Sequence, residues 1–270
     1  MMLESTGMRR RYAAQFMIEK LLRAQRSTPP RSVWARFLGR SPLGKNCEGW
    51  YLGAQGEIEV GKKLATLTPE WAVFHALPIG GHGWDIDHVL VGPGGVITIN
   101  TKQHRGQRVL VEERRVLVDT RPVPYLRHAT FEAERVTTLL EGRRPLSAPV
   151  IPLVVFVGAG NIDRRSTPVP VTVLDAGELV PWLTDLPIVL GPAERLGMIE
   201  LLDDPDRWTD VPLSSGEGLM ESFTRLDSEV RAASLQRKVL LPLELASATA
   251  AALIVLNAAT TLVMGMLAAQ

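Results

Sequence analysis

Asp85, Asp87, Asn100 and Lys102 bracket the stretch DIDHVLVGPGGVITINTK, with two acids at one end and an amide and a lysine at the other. Between them lies Gly92-Pro93-Gly94-Gly95, a turn by composition, because glycine supplies the positive φ angles that tight turns require. With those four residues as the loop, Val91 faces Val96, Asp87 lies across from Asn100, and Asp85 lies across from Lys102. Period-two alternation then puts the four polar groups on one face and Trp84, Ile86, Leu90, Ile97 and Ile99 on the other. Carboxylates and a lysine that converge on a sheet suit a hard divalent cation and a phosphodiester. The acids hold the cation, which neutralises developing charge, and the ammonium steadies a water or the phosphate. The plainer reading is an Asp–Lys cross-strand contact on a solvated face, worth less than about 1 kcal/mol.

The flanking patterns say what must hold this hairpin. A helix over residues 54–67, stopped by Pro69, precedes three β-type runs at 71–77, 84–91 and 95–103. QRVLVEE and RRVLVDT add strands, and ATFEAERVTTLLEG returns to helical spacing, with Phe131, Val136, Leu139 and Leu140 as its apolar positions. VIPLVVFVG is a continuous apolar strand of the kind buried on both faces. VPVTVLD reads as a strand, and residues 176–183 and 193–202 as short helices. This order predicts an α/β fold with a mixed central sheet flanked by helices. Glu132–Arg135 reads as a surface charge pattern on its helix, His88 as structural, and His104 as a residue in reach of phosphate. No Gly-x-x-x-x-Gly-Lys-Ser/Thr or Gly-x-Ser-x-Gly pattern occurs, which excludes a phosphate-loop nucleotidase and a serine hydrolase of those types. Cys47, the single cysteine, excludes an internal disulfide and points to a reducing compartment.

Charge is unevenly spread. Residues 1–50 carry ten Lys/Arg against three Glu, or +7, while the whole chain is +1. Residues 1–46 therefore read as a basic helical arm and linker, with an amphipathic helix over 9–26 ended by Pro29-Pro30. Such an arm suits contact with polyanions, and its Pro-rich exit suggests an element whose removal leaves the body folded. A polar linker and charged helix follow over 203–238. Residues 239–270 contain an uncharged run, 245–269, preceded by Arg237 and Lys238. At helical rise that run spans roughly 37 Å, so it predicts a transmembrane helix with the main domain in the cytoplasm. A cytoplasmic protein with an Ala-rich packing helix is the alternative.

GAQGE at residues 53–57, DIDHVLVGPGGV at 85–96 and INTKQHRG at 99–106 resemble the nuclease-related domain family, NERD, within the PD-(D/E)XK nuclease-like superfamily. The resemblance runs from about residue 50 to 160 and implies a restriction-endonuclease-like domain over 47–202. It implies that Glu57 is the acid of the first helix, that Asp87 binds metal, and that Asn100 and Lys102 fall on the ends of the E-x-K motif. The backbone carbonyl of Thr101 would also meet the metal, Mg²⁺ or Mn²⁺. Asn100 departs from the pattern, since an amide oxygen brings no charge; Asp85 or Glu57 would then supply the missing carboxylate. The implied activity is metal-dependent cleavage or processing of DNA or RNA. Two alternatives stand beside it: a binding module for nucleic acid or anionic lipid that has lost the chemistry, and a self-associating, homo-oligomeric membrane scaffold.

Overall fold

A computed structural model describes residues 7–79, 84–141, 146–166, 170–208, 216 and 218–240. Helices α1 (Gln15–Gln25), α2 (Val33–Phe37) and α3 (Glu48–Leu64) lead into β1 (Ala72–Ile79), β2 (Trp84–Gly92) and β3 (Gly95–Gln103). Next come β4 (Arg108–Glu112), β5 (Arg115–Val118), β6 (Arg121–Val123) and α4 (Tyr125–Leu140). The body closes with β7 (Ile151–Val157), β8 (Asn161–Arg164), β9 (Thr172–Asp175), α5 (Leu179–Thr184) and α6 (Pro192–Asp203). A last helix, α7, covers residues 219–240.

Five strands form a mixed sheet in the order β1-β2-β3-β7-β9. The first three are antiparallel, and β7 runs parallel to both β3 and β9. Helices α3 and α5 cover one face, where Val60, Leu64 and Leu179 meet Leu90, Ile97 and Ile99. Helices α4 and α6 cover the other, through Val136, Leu140 and Leu202. The apolar β7 is buried on both sides, as its composition predicts: Leu153 and Val155 point to α3, Val154 and Phe156 away from it. The α/β fold with a mixed central sheet flanked by helices is thus observed, consistent with a restriction-endonuclease-like architecture. A second sheet, β6-β5-β4-β8, was not separable in the sequence. Its valines, Val109, Val111, Val116 and Val118, alternate like those of any half-buried strand, yet they pack on Val154 and Phe156 as an extra layer.

The β2–β3 hairpin keeps the expected register, with Val91 opposite Val96 and His88 opposite Ile99. Its ladder ends at His88–Ile99, so the two strands part just where Asp87 and Asn100 begin. On β1, Ala76 takes a left-handed φ of 50° beside this point. Sidedness changes across it: Ile86 joins Val89 and Val91 on the α4 face, whereas Leu90 faces α3. Strict alternation, which put Ile86 and Leu90 on one face, fails because the backbone turns over between them.

The basic arm packs on the body. Ala14, Ile18 and Leu21 of α1 are buried with Tyr51 and Ala54 of α3 and Phe223 of α7. Met8 reaches the core layer between the sheet and α6. The stretch expected as a plain linker holds α2, whose Ser32 side chain accepts a 3.2 Å hydrogen bond from the Ala35 N–H. Helix α7 closes over both: Tyr51 Oη donates to Asp227 Oδ1 at 2.7 Å, and Gln236 Nε2 to the Phe37 carbonyl at 2.7 Å.

The membrane expectation is corrected. No helix among the described residues is long and apolar enough to cross a membrane. Helix α7 carries charge along its length and buries Phe223 and Ala233 against the body. The apolar run 245–269 lies outside the described residues.

Since α1 is core, Leu21→Ala should lower unfolding stability by about 2–5 kcal/mol in urea titration. An unchanged midpoint would restore the view of a detachable arm.

Candidate metal centre

The parting of β2 and β3 leaves a gap in the sheet, and acids enter it from three directions. From one layer comes Glu57 of α3, 1% exposed. Gly56 allows this, because a Cβ at that position would lie 3.2 Å from Gln103 Cβ, so the helix sits close on β3. Asp85 and Asp87 stand on β2 in the gap itself. Glu57, Asp85 and Asp87 each bring a carboxylate oxygen within 4.8 Å of the others. From the opposite layer comes Glu132 of α4, 6% exposed, which accepts a hydrogen bond from Asn100 Nδ2.

Little neutralises this group. Asp87 Oδ2 accepts the Thr101 backbone N–H at 2.5 Å, a bond that takes the place of the ladder lost there. Neither oxygen of Glu57 has a hydrogen bond of ordinary geometry, although the Ala14 backbone N–H draws its pKa down slightly. Asp85 Oδ2, Glu132 Oε2 and Asn100 Oδ1 are likewise buried without a partner. Burial first, then the neighbouring Asp87 and Asp85, raises the Glu57 pKa well above the carboxylate range. Burial and then Asp87 do the same to Asp85 and Glu132, while burial alone drives the smaller rise at Asp87. Lys102 opposes the shift at all four. Its Nζ lies 5.3 Å from the centre of the Tyr125 ring. Arg11, just before α1, also opposes it at Asp85, and its Nε donates to the Ala76 carbonyl at 2.6 Å.

The orphaned oxygens form a set of hard donors, the chemistry that Mg²⁺, Mn²⁺ or Ca²⁺ selects. Buried polar atoms rarely go unpaired, so a cation fits this arrangement and would satisfy several at once.

Residues 52–157 match the family model of the nuclease-related domain, NERD. That segment is a nuclease-related domain. No curated protein and no solved structure matches the chain. The nuclease-related domain is of the general PD-(D/E)XK-like kind, and its matched span contains Glu57, Asp85, Asp87, Asn100, Thr101, Lys102 and Glu132 alike.

Sequence reasoning brought the first six of these together and missed Glu132. Its helix was phased on Phe131, which is 50% exposed, and Glu132 went to the surface with it. The signal was available: Ala129, Glu132, Val136 and Leu140 fall at helical spacing, which puts one acid on an apolar face. His104 is held between Gln107 and Tyr125, at 2.8 Å from each, so neither ring nitrogen is free for phosphate. His88 is fully buried with its Nδ1 2.8 Å from that of His75, a structural pair beneath α3.

The raised carboxyl pKa values fix a pH response. The native state holds protons that the unfolded chain releases above about pH 4.5, so metal-free stability is fully present below that value. It is lost as pH climbs through the native pKa values of Glu57, Asp85 and Glu132. In EDTA the melting temperature should therefore fall from pH 5 to pH 8, and Glu57→Gln should flatten the fall. A melting temperature that rises over this range would contradict the buried cluster.

Proposed function

We propose that this nuclease-related domain binds a divalent cation between Glu57, Asp85, Asp87 and Glu132 and engages the phosphodiester backbone of DNA or RNA there, hydrolysing it. One observation carries the reading: four buried or half-buried acids converge, and three of them, Glu57, Asp85 and Glu132, hold buried oxygens without a partner, an arrangement that a cation would satisfy. When bound, the cation supplies Lewis-acid polarisation of a phosphoryl oxygen and a lower pKa for a water.

The chain's own residues divide the rest of the work. Asp87 has one oxygen fixed by the Thr101 N–H and offers the other, so its orientation is set before anything binds. Glu132 contributes the charge that Asn100 cannot, and the Asn100 amide holds it in place. Asn100 Oδ1 and Thr101 remain as neutral neighbours of the centre. Lys102 acts electrostatically on all four acids, and its role is to position water or phosphate. Glu57 and Asp85, which burial holds well above the usual carboxylate range, are suited to accept the proton of an attacking water once the cation has displaced their own.

A second reading has its own support. Asn100 spends its amide on Glu132, and Lys102 rests over Tyr125, so the motif that usually does the chemistry is partly occupied by internal contacts. On that reading the domain binds nucleic acid with a cation and does not turn it over. Counterion release makes such binding fall steeply with salt.

Digestion of single- and double-stranded DNA and RNA with Mg²⁺ or Mn²⁺, beside Asp87→Ala and Lys102→Ala, separates the two. Turnover that both substitutions reduce by about a hundredfold or more fits hydrolysis. Salt-sensitive binding, lost in Asp87→Ala and without product, fits the module. The acid exchange has its own check by Mn²⁺ calorimetry. Glu132→Gln should weaken binding about tenfold or more, because one charged ligand is gone. Asn100→Glu alone would set two carboxylates in contact, whereas Asn100→Glu with Glu132→Gln should recover affinity. Equal affinity in all variants would remove Glu132 from the centre.

A further inference from the structure

Trp84 is 56% exposed at the start of β2, one residue before Asp85. Its ring stands edge-on to His128 of α4, 5.7 Å between centroids and 76° between planes. His128 lies one turn before Glu132 and three residues after Tyr125, so Trp84, His128 and Tyr125 line one side of the carboxylate gap. Cations share that side: Lys102 sits over Tyr125, and both Lys102 and Arg127 act electrostatically on His128. A large exposed indole beside a buried acidic cluster does nothing for the core, since Ile86 and Val89 already fill that layer. An exposed indole whose ring partner, His128, feels two cations matches one ligand chemistry, a nucleobase whose phosphate is drawn to those cations.

We propose that Trp84 is a stacking platform for an unpaired nucleobase next to the metal centre, so that the domain's substrates are single-stranded or frayed nucleic acid rather than intact duplex. In a duplex the base faces are covered by their neighbours and cannot meet the indole. The proposal rests on the nucleic-acid reading given above and adds the strand class to it. Stacking on an aromatic side chain changes affinity by about fivefold to a hundredfold per base.

The test is fluorescence anisotropy of the full chain with a labelled oligothymidylate and with a blunt duplex of equal length, in Ca²⁺ to hold turnover off. Wild type should bind the single strand more tightly. Trp84→Ala should lose about tenfold on the single strand and change little on the duplex, while Trp84→Phe should keep most of the affinity. Thermal melting of both variants checks that the fold is intact. Equal losses on both strands, no loss on either, or a wild-type preference for duplex would overturn the proposal. Mn²⁺ calorimetry on the same samples separates the two readings. Cation binding that Asp87→Ala abolishes, with no strand preference, sinks the stacking role alone. Absence of cation binding sinks the metal centre and the strand preference with it.

Discussion

Several carboxyl groups buried together, with little positive charge beside them, are the constraint around which this molecule is arranged. Glu57, Asp87 and Glu132 are all less than a tenth exposed, and Asp85 is half-buried beside them. Taking several carboxylates out of water costs far more than any one hydrogen bond returns. The protein meets that cost in three ways: protons held by raised pKa values, one lysine that acts on every member, and oxygens left open for a cation. Each is a different solution to the same imbalance. Protons serve at low pH, and a cation would serve when one is present.

The fold is built to hold the imbalance still. Where β2 and β3 part, the Thr101 N–H would lack a partner, and Asp87 supplies one. The same break that opens the sheet therefore orients its central acid. Gly56 lets α3 bring Glu57 down on one side, and α4 presents Glu132 from the other. The amino-terminal segment completes the enclosure, with Ala14 beside Glu57 and Arg11 acting on Asp85. Ala14 itself adopts φ 66°, a left-handed conformation uncommon for alanine, just where α1 starts. Burying Ile18 and Leu21 holds that conformation in place.

Much of this was legible in the sequence, because local patterns decide local structure. The hairpin register followed from Gly92-Pro93-Gly94-Gly95 and the flanking alternation, and β3 has the span that its pattern gives. The double burial of β7 followed from its unbroken apolar run. What failed were relations between distant segments. Charge counting marked the arm as a contact for polyanions, but it could not tell that Ala14, Ile18 and Leu21 meet Tyr51 and Phe223. Period-two alternation could not anticipate the turnover at Ala76, on a neighbouring strand. Glu132 escaped for a related reason: a conspicuous Phe131 set the helical phase, and one residue of phase error is about 100° of rotation.

Asn100 and Glu132 together explain why losing an acid from the strand need not empty the site. What a cation requires is a number of negative oxygens around it; which backbone carries them matters less, provided each is held. Asn100 is neutral and one methylene shorter than a glutamate, and its Nδ2 donates to an acceptor. Glu132, facing it from α4, is that acceptor. The amide thus braces the carboxyl group on α4, so the gap keeps an acid beside residue 100 although residue 100 is itself neutral. A second carboxylate at residue 100 would repel Glu132 instead of bracing it, so the strand amide and the helix acid make sense only as a pair.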